Sequence, residues 1–330
     1  MSVARFVTKR VVQGVGVVWG VVTVVFALRF VTPGSPINAV APLDASQETR
    51  RAIAVELGLD QPLYVQYLQY VGDLLRGDMG FSYVRGQDVA RLVFLKLPAT
   101  VELAVAATVL AIAISIPLGV LSATRRNQPA DYLATLFSLG GISTPNFWLG
   151  IMMILVLAVQ LGLFQTSGRG VGFPGVLAAV VGPEPFLDTL LSWLSYITLP
   201  AIALGTYFTA LITRLTRSGM LDELGEAYVQ ATRAKGLPET LVRYKHALRN
   251  TLIPVITVLG LQLGTLIGGA VITEAVFSWP GLGTLVIQSI NLRDWPVLQG
   301  CLVIIGTSFV VVNIVVDTLY AHLDPGVVYD

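Results

Sequence analysis

The chain has 330 residues, 54% hydrophobic and 12% charged, with 21 Lys and Arg against 20 Asp and Glu for a formal net charge of +1. A soluble domain carries about a quarter charged residues, so this composition, with a mean hydropathy of +0.74, excludes an ordinary soluble enzyme and points to lipid as the solvent of much of the chain. The near-neutral balance argues against nucleic acid as a partner, the single Cys301 excludes an internal disulfide, and two histidines, His246 and His322, leave little for a His/Cys metal cluster.

A helix that crosses the hydrocarbon core needs about 20 residues with few charges. The first charge-free run is 11–28. Arg5, Lys9 and Arg10 precede it as in a secretory leader, but the apolar stretch exceeds the usual length and no small-residue cleavage site lies before Arg29, so it reads as an uncleaved first span. Gly16 and Gly20 form a short stripe on it. The segment 33–98 follows. From Pro62, the apolar positions Tyr64, Tyr67, Leu68, Val71, Leu74 and Leu75 keep helical spacing, Pro62 suits the first turn and Gly77 the C-terminal cap. A weaker helix covers about 46–57. This segment reads as a small packed cap, with direct substrate contact as the other reading.

Further charge-free runs lie at 103–124, 132–168, 189–213, 250–273 and 295–316, which makes six spans. The run 275–292 is long enough but too polar, with Ser278, Pro280, Gly281, Gly283, Thr284 and Gln288, and reads as a structured loop or re-entrant hairpin facing protein. Pro117, Pro145 and Pro200 are positioned to kink their helices. Gly260, Gly264 and Gly268 recur every four residues and form a helix-packing stripe, with pore lining the alternative. Arg29, Glu102, Glu274 and Asp317 sit at span ends, where snorkelling or interfacial pairing explains them, and no span carries a charge at its middle. Lys and Arg in the short flanking segments place both termini and the segment 217–249 on the cytoplasmic side.

Segment 217–249 is charged on both signs and long for a connection between membrane helices. It reads as two short helices, 221–235 and 239–249, separated by Gly236-Leu237-Pro238. Gly236 permits a positive φ at the end of the first helix, and Pro238 fits the start of the second. Such a helix-turn-helix offers a rigid knob to a cytoplasmic partner.

Within it, Tyr228-Val229-Gln230-Ala231-Thr232-Arg233-Ala234-Lys235-Gly236-Leu237, followed by His246-Ala247-Leu248-Arg249-Asn250-Thr251-Leu252-Ile253-Pro254, resembles the EAA loop of ABC-importer permeases of the dipeptide/oligopeptide/nickel family. Further likenesses run in order through residues 5–325: Gly77-Asp78-Met79-Gly80-Phe81-Ser82, Pro117-Leu118-Gly119, Ser143-Thr144-Pro145-Asn146-Phe147-Trp148-Leu149-Gly150, Gly268-Gly269, Glu274-Ala275-Val276-Phe277, Pro280-Gly281-Leu282-Gly283 and Arg293-Asp294. Aligned on Gly236, the family's Glu-Ala-Ala falls on Gln230, Ala231 and Thr232, so Thr232 departs from the pattern.

The resemblance implies an all-α integral membrane protein with the type I ABC-importer permease fold: six transmembrane helices and a small helical extracytoplasmic insertion after the first. It divides the chain into the N-terminus and first helix (1–32), an extracytoplasmic helical segment (33–98), a five-helix core (99–325) containing the coupling loop 217–249, and a cytoplasmic tail (326–330). It makes Gln230, Ala231, Thr232, Arg233, Ala234, Lys235, Gly236 and Leu237 the ATPase-coupling residues, with Ala231 and Ala234 small enough for close approach of a partner. Arg233 and Lys235 either meet acidic residues there or only follow the positive-inside bias.

The implied partners are a second, homologous permease in a heterodimer, two cytoplasmic ATPases, an extracytoplasmic substrate-binding protein and membrane lipid, in a prokaryotic cell membrane. None of the four lysines, Lys9, Lys96, Lys235 and Lys245, has the P-loop context that cradles phosphates. The chain is therefore expected to be no enzyme and to hold no cofactor, ATP and magnesium residing on the ATPases. The implied cargo is short peptides, with nickel or oligosaccharides as alternatives. A secondary transporter is the rival class, disfavoured because neither an internal repeat nor a midplane polar site stands out.

Overall fold

The structure, a computed structural model, describes residues 3–31, 37, 46–56 and 58–323. Parts of the expected outer segment, within 32–45, and the expected tail at 326–330 lie outside the described residues.

Helix α1 spans Val3–Val31, α2 Gln47–Glu56 and α3 Leu63–Leu75. A two-residue antiparallel hairpin, β1 (Phe81–Ser82) with β2 (Gln87–Asp88), pairs Phe81 with Asp88 and leads into α4 (Val89–Thr124). Then follow α5 (Pro129–Ser143), α6 (Asn146–Met153, prolonged by π-helical turns to Gln160), α7 (Gly172–Val181) and α8 (Phe186–Gly225). After these come α9 (Ala227–Ala234), α10 (Glu239–Leu241), α11 (Leu248–Val276), α12 (Leu282–Leu292) and α13 (Trp295–Leu323). Among the described residues, five helices are long and apolar enough to cross a membrane, and the bent pair α5–α6 makes a sixth crossing if counted as one.

The third expected span is therefore not one rod. Thr144 (ψ 125°) and Pro145 (ψ 132°) leave helical geometry, and the two halves meet at 108°. Proline lacks the N–H that would continue the ladder and pushes its predecessor into extended conformation. The bend is held from both sides. A Cβ at Gly141 would lie 2.8 Å from Ala210 Cβ, and one at Gly150 3.0 Å from the Phe277 ring. Pro117 and Pro200 lie inside α4 and α8 without ending them.

The centre is the α4–α8 contact. Ala99, Leu103, Ala104 and Ala107 of α4 pack on Ile197, Ala201 and Leu204 of α8, joined by Leu266 and Ala270 of α11 and by Trp279. Small residues let the backbones close up. Glycine Cβ atoms would meet the Ala107 carbonyl at 2.9 Å (Gly205) and Thr216 Cβ at 2.6 Å (Gly119). Lipid supplies no hydrophobic drive between helices, so such close van der Waals contact stabilises the pairing. The helix α1 runs antiparallel to α13, through Gly14 against Ile314, Gly306 against Val21, and an Arg10–Asp317 ion pair at 3.3 Å. A Cβ at Gly16 or Gly20 would meet nothing, so the α1 contact falls on Gly14 instead of the expected stripe.

The expected amphipathic helix after Pro62 is α3, whose Tyr70, Val71 and Leu74 pack against Val18, Val21, Val22 and Val25 of α1 and Val303 of α13. Gly77 (φ +84°) ends the turn after it. The polar run 275–292 forms a turn followed by α12, which buries Leu282, Gly283, Leu285, Val286 and Ser289 against the bundle, as expected of a segment facing protein. Helix α4 begins 14 residues before its charge-free run, so the expected division at 98/99 falls inside a helix.

Of the charges expected at span ends, Glu102 is paired with Arg169 as expected, while Glu274 is buried without an ionic partner among the hydrogen bonds it accepts. Glu274 is fully buried and accepts from Thr100 Oγ1 (2.6 Å) and the Thr284 amide (3.1 Å). Glu102 pairs with Arg169 and accepts from Trp193 Nε1 (2.6 Å) and the Phe173 amide (3.0 Å). Each carboxylate gathers donors from separate elements, which a span-end position in the sequence does not reveal.

Candidate functional site

The segment 217–249 differs from its expected form in two respects. Leu221 to Gly225 continue α8, which breaks at Glu226 (ψ 147°), and the first short helix is α9 alone. The second helix, from Glu239, runs on through π-helical turns at Val242–Ala247 into α11. The knob is thus a single short helix and turn strung between two long helices.

Local chemistry explains both ends of the knob. The Gln230 side chain donates to the Gly225 carbonyl (3.2 Å), satisfying an acceptor that the end of α8 leaves open, a bond no carboxylate could donate. At the other end the Leu237 amide reaches the Thr232 carbonyl (3.4 Å) and the Gly236 amide reaches Arg233 (2.9 Å), with Gly236 at φ +74°. This left-handed closure suits glycine because it lacks a Cβ. The Thr232 hydroxyl bonds the Val229 carbonyl (2.7 Å), so the departure from the family pattern is satisfied within its own helix.

Val229 is fully buried and anchors α9, whose chief contacts are α8 and the turns at 242–247. Beneath lies a cluster of Val120 and Ala123 from α4, Met220, Leu221 and Leu224 from α8, and Ala247 and Leu248. Across the turn, Glu239 accepts from Arg233 Nε (2.8 Å) and Arg243 Nε (3.1 Å). Tyr228 donates to Glu223 and accepts from Asn250 Nδ2 (2.9 Å). Desolvation first, and Glu223 second, push the Tyr228 phenol up to about 12, so it keeps its proton near neutral pH. Arg233 is thus engaged with Glu239, while Gln230, Ala231, Arg233, Ala234, Lys235 and Gly236 present exposed surface and Leu237 and Thr232 are half-buried.

Of the three glycines singled out on α11, two face α13: a Cβ at Gly260 would lie 1.9 Å from Val316 Cγ1, and one at Gly264 2.8 Å from the Phe309 ring. A Cβ at Gly268 would meet open space. Among the described residues no group of three or more His, Cys, Asp or Glu is arranged for a metal.

The sequence reading passed over one constellation beside the knob. Asp131, the residue before the charge-free run 132–168, is 3% exposed and receives four donors: Arg217 Nε (2.6 Å) and Nη2 (2.9 Å), Ser122 Oγ (2.5 Å) and the Asn127 amide (3.0 Å). An acid in the first turn of a helix and an arginine 86 positions away carry no sequence pattern that would join them.

A family model described as the binding-protein-dependent transport system inner membrane component matches residues 115–329, and the model of its N-terminal part matches residues 3–104. The chain is 39% identical over 327 residues to the oligopeptide transport system permease protein AppB of Bacillus subtilis, covering 99% of this chain and all of that one. It is 38% identical to the dipeptide transport system permease protein DppB of Escherichia coli K12, covering 97% and 98% of the two chains. Among solved structures, an inward-facing conformation of the MetNI methionine ABC transporter superposes with a TM-score of 0.52 at 17% identity, covering 71% of this chain and 96% of that one, a likeness of fold. With a bundle of membrane-spanning helices and a match along nearly its whole length, the chain belongs to the family of inner membrane components of binding-protein-dependent transport systems.

Proposed function

We propose that this chain is one permease subunit of an ATP-driven importer of short peptides. It works beside a second, homologous permease, two ATPases that bind ATP and magnesium, and an extracytoplasmic binding protein that delivers the cargo. The observation that carries the reading is the exposed α9 turn, anchored by Val229 between two long helices, in a chain similar over its full length to peptide-transport permeases. ATP binding closes the ATPases, residues 230–237 follow, and the long helices α8 and α11 tilt, exposing the path to alternate sides. ATP must stabilise the two states differently for this to work. The Lys and Arg distribution supports cytoplasmic termini and a cytoplasmic α9.

The test is reconstitution of the complex with its ATPases and binding protein. Gly236→Glu places a charged Cβ-bearing residue at φ +74° on the docking surface, and the expected result is loss of ATPase association and of transport. Unchanged association and transport would reject the coupling role. Binding of dialanine, an oligosaccharide and nickel to the partner binding protein decides the cargo, and the peptide is expected to bind.

A further inference from the structure

We infer that the Asp131 carboxylate and the Arg217 guanidinium form the latch through which a displacement of α9 reaches α4 and α5. The inference rests on the permease reading and deepens it. Helix α9 packs chiefly on α8 and on the turns at 242–247, and α5 packs chiefly on α8 and α4. Motion of α9 therefore reaches the broken span through α8. Arg217 stands on α8, eight residues before it ends at Gly225.

At that level one buried carboxylate ties three elements together. Oδ1 accepts from Ser122 on α4 and from Arg217 Nε, and Oδ2 accepts from the Asn127 amide in the α4–α5 turn and from Arg217 Nη2. The bidentate fork fixes direction as well as distance, which a lysine cannot do. Burial of Asp131 raises the penalty for separating the pair, because the carboxylate left alone lacks water, whereas the half-buried Arg217 keeps some contact with solvent. Close contacts surround it, with Gly119 against Thr216 and Gly219 against Thr251. The ends of α4, α5, α8 and α11 therefore move as a block, with Asp131 as the polar pin. Asp131 and Arg217 are positioning residues and act on transport through α5 and α4.

The experiment uses the complete complex in liposomes with the variants Asp131→Asn, Arg217→Lys and Ser122→Ala. Arg10→Gln breaks the α1–α13 ion pair and serves as control. Two readouts are taken on assembled complexes. The first is labelled dialanine moved per ATP hydrolysed, which is expected to fall about fivefold or more in Asp131→Asn and Arg217→Lys, less in Ser122→Ala, and not in Arg10→Gln.

The second needs no cargo: spin labels on cysteines introduced at Leu136 in α5 and Tyr244 after α9, both exposed positions. In the otherwise unaltered chain the label distance stays the same when ATP is bound, and in Arg217→Lys and Ser122→Ala it shifts or broadens. Unaltered distances in those variants, or an equal fall in transport per ATP in Arg10→Gln, overturn the latch. An unaltered complex that moves no dialanine while the label distances behave as stated overturns the peptide reading and leaves the latch standing.

Discussion

Glu274 closes the N-terminus of α12 from a neighbouring helix. Its oxygens take the Thr284 amide and the Thr100 hydroxyl, while Thr100 in turn accepts the Leu282 amide at 2.8 Å. An anion here also meets the positive end of the α12 dipole. Two glycines, Gly281 before α12 and Gly283 in its first turn, make room for this: a Cβ at Gly281 would lie 2.3 Å from Glu274 Oε1, and one at Gly283 2.4 Å from Val271 Cα. Glu274→Gln removes the charge and one acceptor and is expected to lower stability by about 1–3 kcal/mol. Gly281→Ala is expected to do the same by about 1–3 kcal/mol through overpacking. Thermal unfolding of the purified chain in detergent checks both, and an unshifted midpoint for Gly281→Ala would contradict the close approach. The sequence presented Glu274 and the Pro280-Gly281-Leu282-Gly283 run as separate features. Only the fold puts the carboxylate over the turn.

At the scale of elements, charge-free runs located every long helix, because charge is what lipid excludes most strongly. What they could not locate were breaks and extensions made by polar residues outside the lipid. The helix α8 runs on to Gly225, where its chain leaves helical geometry at Glu226 and the Gln230 side chain caps the Gly225 carbonyl. The expected turn at Gly236 was legible, since glycine followed by Leu-Pro is a local signal. The neighbour of the Gly260 and Gly264 face was not, because a stripe of small residues states that something approaches without saying what. That neighbour is α13, and the contact can be tested by size. Gly260→Ala adds a Cβ 1.9 Å from Val316 Cγ1 and is expected to cost about 1–3 kcal/mol. Val316→Ala vacates the same space, so the double variant should recover most of the loss. Thermal midpoints of the two single variants and the double variant measure this coupling, and strictly additive losses would mean that the helices do not meet there.

For the whole molecule, a net charge of +1 conceals an uneven placement, with Arg217, Arg233, Lys235, Arg243, Lys245 and Arg249 gathered around one end of the bundle. This excess supports the proposed orientation and predicts labelling. In intact cells or sealed vesicles, cysteines introduced at Gln128 and Glu239 should resist an impermeant thiol reagent added outside, while one at Asp88 in the hairpin should react. The reverse pattern would invert the topology. Cys301 gives little background, being the single cysteine of the chain and buried. By itself the sequence determined the membrane class, the rough positions of the long apolar segments, and the exposed turn at Gly236, since each depends on properties of adjacent residues: hydropathy over a run, or φ at one position. The tertiary structure alone decided which donors meet the buried carboxylates. Asp131 and Arg217 stand 86 positions apart, Thr100 and Glu274 174 apart. A charge is admitted to an apolar interior only with its partners in place, and those partners are brought together by helix packing, which no local pattern encodes.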